Sequence, residues 1–224
     1  MKIGILGSGV VGQTLGEKLL ERGGDVVLGT RSPDKLEGKR GFGAPLDEWL
    51  RRTNGKARVA SFADAASHGE IVINATHGGG SLDALAMAGA ANLDGKILID
   101  VANPLDFSRG MPPSLTVCNT DSLGEQIQRA FPNVKVVKTL HTANAQVMVN
   151  PAGVADGDHD LFVCGNDAAA RARVAELMKQ WFGWRNVIDL GDITAARGTE
   201  MLLPIWVRLM GALGTPLFNF KIVR

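Results

Sequence analysis

The sequence predicts an α/β protein with a doubly wound, mostly parallel sheet and a short helical segment at its C-terminal end. Three observations carry that prediction. Short runs rich in Val, Ile and Leu alternate with helix-like segments from Lys2 to Leu190. Most of these runs lack the polar alternation of a half-solvated strand, as strands covered on both faces do. Serial strand–helix–strand units close through right-handed crossovers, which makes the strands parallel.

Strands are expected at Lys2–Leu6, Asp25–Thr30, Ala57–Ala60, Glu70–Ala75, Lys96–Val101, Val134–Thr139, Asp160–Cys164 and Asn186–Leu190. Between them, helices are expected at Val10–Arg22, Pro33–Glu37, Leu46–Arg52, Phe62–Ser67, Ser81–Ala90, Ser122–Phe131 and Ala168–Phe182. Ser32-Pro33 reads as a helix start, with Ser as cap and Pro in the first turn, and Gly23-Gly24 as a helix end. The segment from Thr194 to Leu213 reads as a helix that Pro204 must kink or restart. Residues 1–193 are expected to form one nucleotide-binding domain, with residues 194–224 as a helical appendage packed on it.

Composition narrows the function. With 24 basic and 23 acidic residues the net charge is +1, so neither nucleic acid nor an anionic membrane is an expected partner. The two cysteines, Cys118 and Cys164, have no paired spacing, which argues against structural zinc or a secreted disulfide framework and suits a reducing compartment. No pair of histidines or carboxylates has metal-ligand spacing, so no metal is expected. There is no tyrosine, which excludes a phenol as acid or base. No signal peptide is visible, and the longest apolar stretch, Met201 to Gly214, is short and contains Arg208. A cytoplasmic setting is expected.

The stretch Gly7-Ser8-Gly9-Val10-Val11-Gly12 falls between the first strand and an amphipathic helix. In that context G-x-G-x-x-G is the dinucleotide fingerprint of a Rossmann fold. Gly7 permits the tight turn, Gly9 lets a pyrophosphate reach the backbone, and Gly12 lets the helix close on the strand. The helix N-terminus then offers free N–H groups and a favourable dipole to the anion. The second strand selects the dinucleotide. An NAD site places an acid at its tip, whereas here it ends in Thr30-Arg31-Ser32, with Asp25 at the wrong end. Arg31 can pair with a 2′-phosphate, Thr30 and Ser32 add hydroxyls, and Lys35 lies one turn into the helix expected next. NADP(H) is favoured.

Ligands in such sheets bind beyond the carboxyl ends of the strands. The tips there read Ala75-Thr76-His77 ahead of a glycine triplet, Asn103-Pro104, and His141-Thr142. His77 and His141 are candidates for the reacting half of the site, and His68 and His159 are expected to be solvated. Trp181 and Trp184 are expected to be packing residues.

On these residues the chain resembles the NADP oxidoreductases that depend on the deazaflavin coenzyme F420, and is similar to the cytoplasmic reductase domain of STEAP-type ferric reductases. The resemblance runs nearly end to end. It includes Gly29-Thr30-Arg31-Ser32-Pro33, Asp100-Val101-Ala102-Asn103-Pro104-Leu105, Val136-Val137-Lys138-Thr139-Leu140-His141-Thr142, Val163-Cys164-Gly165-Asn166-Asp167 and Glu200-Met201-Leu202-Leu203-Pro204. It implies that Thr30, Arg31 and Ser32 hold the 2′-phosphate and the glycine loop the pyrophosphate. It also implies that Ala75, Thr76, His77, Asn103, Pro104 and His141 line the hydride-transfer face, with His141 as a candidate catalytic donor to the charge that develops on the acceptor. The long stretch Gly38 to Gly55 departs from the family pattern, so F420, FMN, FAD or another small redox acceptor all remain candidates for the second ligand. A non-catalytic NADPH sensor or reductase subunit is the alternative. Imine reductases and 3-hydroxyacid dehydrogenases share the opening motif, but the strands continue to Leu190 and leave no room for their helical domain. The apolar residues of the final helix suit core packing, the acceptor pocket or a dimer face, and a homodimer is the expected assembly.

Overall fold

The computed structural model describes residues 1–38 and 41–224. Eight strands form one sheet: β1 (Lys2–Leu6), β2 (Asp25–Thr30), β3 (Arg58–Ser61), β4 (Ile71–Asn74), β5 (Ile97–Asp100), β8 (Lys135–Thr139), β9 (Asp160–Cys164) and β10 (Asn186–Asp189). Their order is β10-β9-β8-β5-β4-β1-β2-β3. Each neighbouring pair is parallel except β8 and β9, where Lys138 faces Cys164 and Thr139 faces Val163 in antiparallel register. The mostly parallel, doubly wound sheet is the one expected. Its winding reverses between β1 and β4, and this switch point opens a crevice at the strands' carboxyl ends.

Helices cover both faces because the strands are apolar on both. On one side Ile3, Ile5 and Leu28 pack with α1 (Val10–Glu21), α2 (Leu46–Arg52) and α8 (Ala168–Phe182), through Leu15, Trp49 and Trp181. On the other side Leu6, Val72 and Leu98 pack with α3 (Phe62–His68), α4 (Ser81–Ala88), α5 (Ala90–Leu93) and α6 (Leu123–Ala130). Each fully buried Leu or Ile contributes roughly 1.5–3 kcal/mol. Trp181 and Trp184 are both buried.

Several sequence expectations are corrected. Pro33–Glu37 is not a helix. The Lys35 N–H closes one turn onto the Ser32 carbonyl, and the Leu36 carbonyl is then taken by Leu46 N–H at 2.8 Å and Asp47 N–H at 3.3 Å, the entry to α2. Ser32 therefore caps nothing, and Lys35 belongs to a turn. The interruption expected between Thr194 and Leu213 is present: a 3-10 turn leads into α9 (Ala196–Glu200), and α10 (Leu202–Leu213) restarts after Met201. Pro204 falls in the first turn of α10, where its missing N–H leaves no gap. Among the seven apolar residues from Leu202 to Met210 only Leu203 is buried, so α10 does not pack into the core.

His159 is not solvated. It is 2% exposed, its Nε2 lies 3.0 Å from the Pro151 carbonyl oxygen and its Nδ1 2.8 Å from the Asn219 amide, and its ring meets Trp184 edge-on. It is covered because the tail folds back, with Asp160 N–H donating to the Phe220 carbonyl. His68 is also mostly covered, between Arg58 and Asp25. Elements not anticipated include the antiparallel hairpin of β6 (Leu105–Asp106) and β7 (Ser114–Leu115), the short α5 beyond Gly89, and α7 (Ala145–Val149).

Candidate active site

The crevice has a volume of about 340 Å³. Its floor is the glycine loop. Gly7 has φ of +118°, and a Cβ on it would lie 2.4 Å from the Ala75 carbonyl oxygen. A Cβ on Gly12 would lie 1.9 Å from the Gly7 carbonyl oxygen, so neither position admits a side chain. Gly9 is the N-cap of α1 and supplies no capping side chain, and the first turn, with Val10 and Val11, holds no acid. The free N–H groups at this end are available to an anion.

Ser8 Oγ donates to Thr30 Oγ1 at 3.3 Å, tying the loop to the tip of β2. Thr30 and Arg31 line the crevice, whereas Ser32 and Lys35 are not among the described residues that line it. None of the described lining residues is acidic. Across the crevice, Ala75, Thr76 and His77 form the opposite wall. They are held by Asn74, fully buried, whose Nδ2 donates to Asp100 Oδ1 at 2.8 Å and whose Oδ1 accepts from Thr76 Oγ1 at 2.7 Å. His77 Nδ1 accepts from Gly79 N–H, and its ring lies 6.2 Å from Phe107 on the β6–β7 hairpin.

Asn103, Pro104 and His141 adjoin this wall without lining the same crevice. A Cβ on Gly78 would fall 2.0 Å from the Asn103 carbonyl oxygen, so the β4 and β5 tips touch. Asn103 Nδ2 donates to the His141 carbonyl oxygen at 2.8 Å, joining the β5 and β8 tips. His141 follows Leu140, a buried residue with φ of 63°. A bulky side chain in that region costs on the order of 1–2 kcal/mol, so this bend is held by its surroundings. The His141 ring is 3% exposed; the Thr139 and Thr199 backbones face it, but its nitrogens, like Asn103 Oδ1, make no well-formed hydrogen bond among the described residues. Burial, and then the charge of Lys138, push its pKa well below the usual histidine range, so the ring is neutral.

Beside it lies an ion network that sequence reasoning missed. Lys138 Nζ sits 2.8 Å from Asp100 Oδ2 and 2.9 Å from Glu200 Oε1, and the lysine side chain is 0% exposed. Burial works against the ammonium, but the two carboxylates outweigh it and raise its pKa. The second negative charge is met at the start of α6, where Leu123 and Gly124 N–H donate to Glu200 at 2.9 and 3.1 Å. Arg197 of α9 also pairs with Glu125 of α6. Cys164, opposite Lys138, is inert, its thiol pushed up to about 12 by burial. A signal was present: a charged residue inside an apolar strand, as Lys138 is, needs buried partners.

A glycine cradle at an open helix end, facing a rim with no carboxylate, suits a dinucleotide that carries an extra phosphate, and the chain is an NADP-dependent oxidoreductase. A family model described as NADP oxidoreductase, coenzyme F420-dependent, matches residues 2–104. A crystal structure from Arthrobacter sp. FB24, named as a candidate F420-dependent NADP-reductase, is 57% identical, covers 100% of each chain and superposes with a TM-score of 0.95. This chain belongs to the F420-dependent NADP oxidoreductase family. It is 29% identical to the F420-dependent NADP reductase of Methanocaldococcus jannaschii, over 93% of this chain and 92% of that one. It is 30% identical to Metalloreductase STEAP3 of Rattus norvegicus over 92% of this chain, which spans only 38% of that protein's length. No helix among the described residues is long and apolar enough to cross a membrane.

Proposed function

We propose that the chain transfers a hydride between NADPH and a deazaflavin such as F420, or a flavin, which docks over the rim between His77 and His141. The observation that carries this reading is the pairing of an acid-free phosphate rim with orphaned, buried polar atoms, His141 Nδ1 and Nε2 and Asn103 Oδ1, at the adjoining strand tips. Thr30, Arg31 and Ser32 hold the 2′-phosphate. The glycine loop, with Val10 and Val11 at the start of α1, holds the pyrophosphate. Ala75, Thr76, His77, Asn103 and Pro104 shape the nicotinamide side. Hydride passes as one unit, so no acid–base pair is needed, and the protein's task is to hold two rings about 3–3.5 Å apart. A neutral His141 can donate one hydrogen bond to the acceptor as charge builds on it.

The chain works as a homodimer in this reading. Support comes from α10, which exposes Ile205 at 48% and Leu213 at 57%, and from Met111, 63% exposed, which lies against α10 at Val207 and Met210. The test is NADPH oxidation with F420, FMN, FAD and a ferric chelate as acceptors and NADH as the control donor. Turnover with F420 and a strong preference for NADPH is expected. Tight NADPH binding with no turnover on any acceptor overturns the enzyme reading in favour of a sensor or a partner-dependent subunit.

A further inference from the structure

The loop between β2 and α2 returns to the glycine loop, and one buried side chain holds it there. Gln13, in the second turn of α1, is 3% exposed. Its Nε2 donates to the Ser8 carbonyl at 3.0 Å and to the Ala44 carbonyl at 2.8 Å, while Ala44 N–H donates to its Oε1 at 3.1 Å. The amide thus bridges the glycine loop and a strap, residues 41–45, much as a strand neighbour would. The fit is close: a Cβ on Gly43 would lie 2.9 Å from both Gln13 Nε2 and Val10 N, and 3.1 Å from Gly9 C. From the other side the Trp49 indole donates to the Gln13 carbonyl at 3.2 Å, so the latch is itself pinned.

Gly41 lines the crevice together with Gly9 and Arg31. Next to it Phe42 is 99% exposed. A lone exposed ring is ordinary on a protein surface. This one stands on a strap that three hydrogen bonds hold against the pyrophosphate loop, at the rim of the crevice. We propose that the latched strap is a wall of the dinucleotide site and that Phe42 is the side chain a bound dinucleotide covers. The ring then shields the nucleotide from water at little ordering cost, because the latch has already fixed the backbone that carries it. The inference rests on the reading that the crevice binds NADP(H).

Calorimetric titration of NADPH into the purified chain separates the two. Wild-type binding is expected, and its absence overturns the crevice reading and this one together. Phe42→Ala touches no protein contact, so the melting temperature stays unchanged while NADPH affinity falls about 5- to 20-fold, the scale of a lost aromatic–base contact. Phe42→Trp retains wild-type affinity within about twofold. Gln13→Met and, independently, Gly43→Ala displace the strap and weaken binding about 10-fold. A Phe42→Ala chain that binds NADPH as the wild type does overturns the proposal and leaves the crevice reading standing.

Discussion

The two halves of the rim are built by opposite means. Around the glycine loop the shape is set by backbone and by the lack of side chains, over a short stretch from Gly7 to Gly12, and its one buried polar side chain, Gln13, is fully bonded. Around His141 the shape is set by side chains drawn from distant segments, Asp100, Lys138 and Glu200, with orphaned polar atoms left beside them. The first half is a ready mould for a ligand that every member of a dinucleotide-binding fold shares. The second is a custom assembly, and chemistry that differs between relatives is expected there.

The sharpest way to break that contrast is to attack the ion network. Lys138→Met leaves two carboxylates buried without their cation, and a loss of about 3–5 kcal/mol in unfolding free energy by urea denaturation is expected. Where that variant still folds, NADPH binding should survive in large part, because the glycine loop makes no bond to the network and only the Thr76 wall is tied to it, through Asn74 and Asp100. Equal damage to both halves would show that the division is wrong. Next in size, Arg31→Ala should raise the NADPH Kd about 10- to 100-fold, the loss of roughly 1.5–3 kcal/mol of charge-assisted hydrogen bonding, and leave NADH within about twofold. A uniform loss for both nucleotides would remove Arg31 from the 2′-phosphate.

The smallest expected effect sharpens the role of His141. His141→Asn should lower kcat about 10-fold, near 1.4 kcal/mol, with the NADPH Kd unchanged. A pH series adds a second readout. Because the folded pKa is depressed, the unfolded chain takes up the proton first as pH falls below about 6.5, so stability is present above that point and declines below it. The slope from this one group is at most about 1.4 kcal/mol per pH unit, and the Asn variant should flatten it. An unchanged profile would mean that the ring is solvated in solution.

The same division explains what could be read from the residues alone. Strand positions, the parallel sheet and the glycine loop were legible because each depends on local pattern: apolar runs, glycine spacing, the missing acid after Thr30. The helix expected at Pro33–Glu37 failed because a tertiary contact, Leu36 to Leu46, outbid the local start signal. His159 looked solvated because the segment that buries it lies some sixty positions onward, at Asn219. The Gln13 latch and the Glu200 ion pair were illegible for the same reason: each joins segments whose adjacency no local pattern announces.

The contacts of Glu200 and Phe220 also bear on how the chain is made. During synthesis the N-terminal part emerges first and can fold as it appears. Residues 1 to 104 carry the glycine loop, the β2 tip and the wall at Thr76, so the nucleotide side can take shape early. Lys138, meanwhile, has Asp100 and the Ala102 carbonyl but lacks its second carboxylate until Glu200 arrives, and the bond from Asp160 N–H waits for Phe220. A ribosome stalled before residue 200 would therefore hold a nascent chain with its mould already formed, while in its other half the first N–H groups of α6 and one side of Lys138 still wait for Glu200, a state for chaperones to recognise.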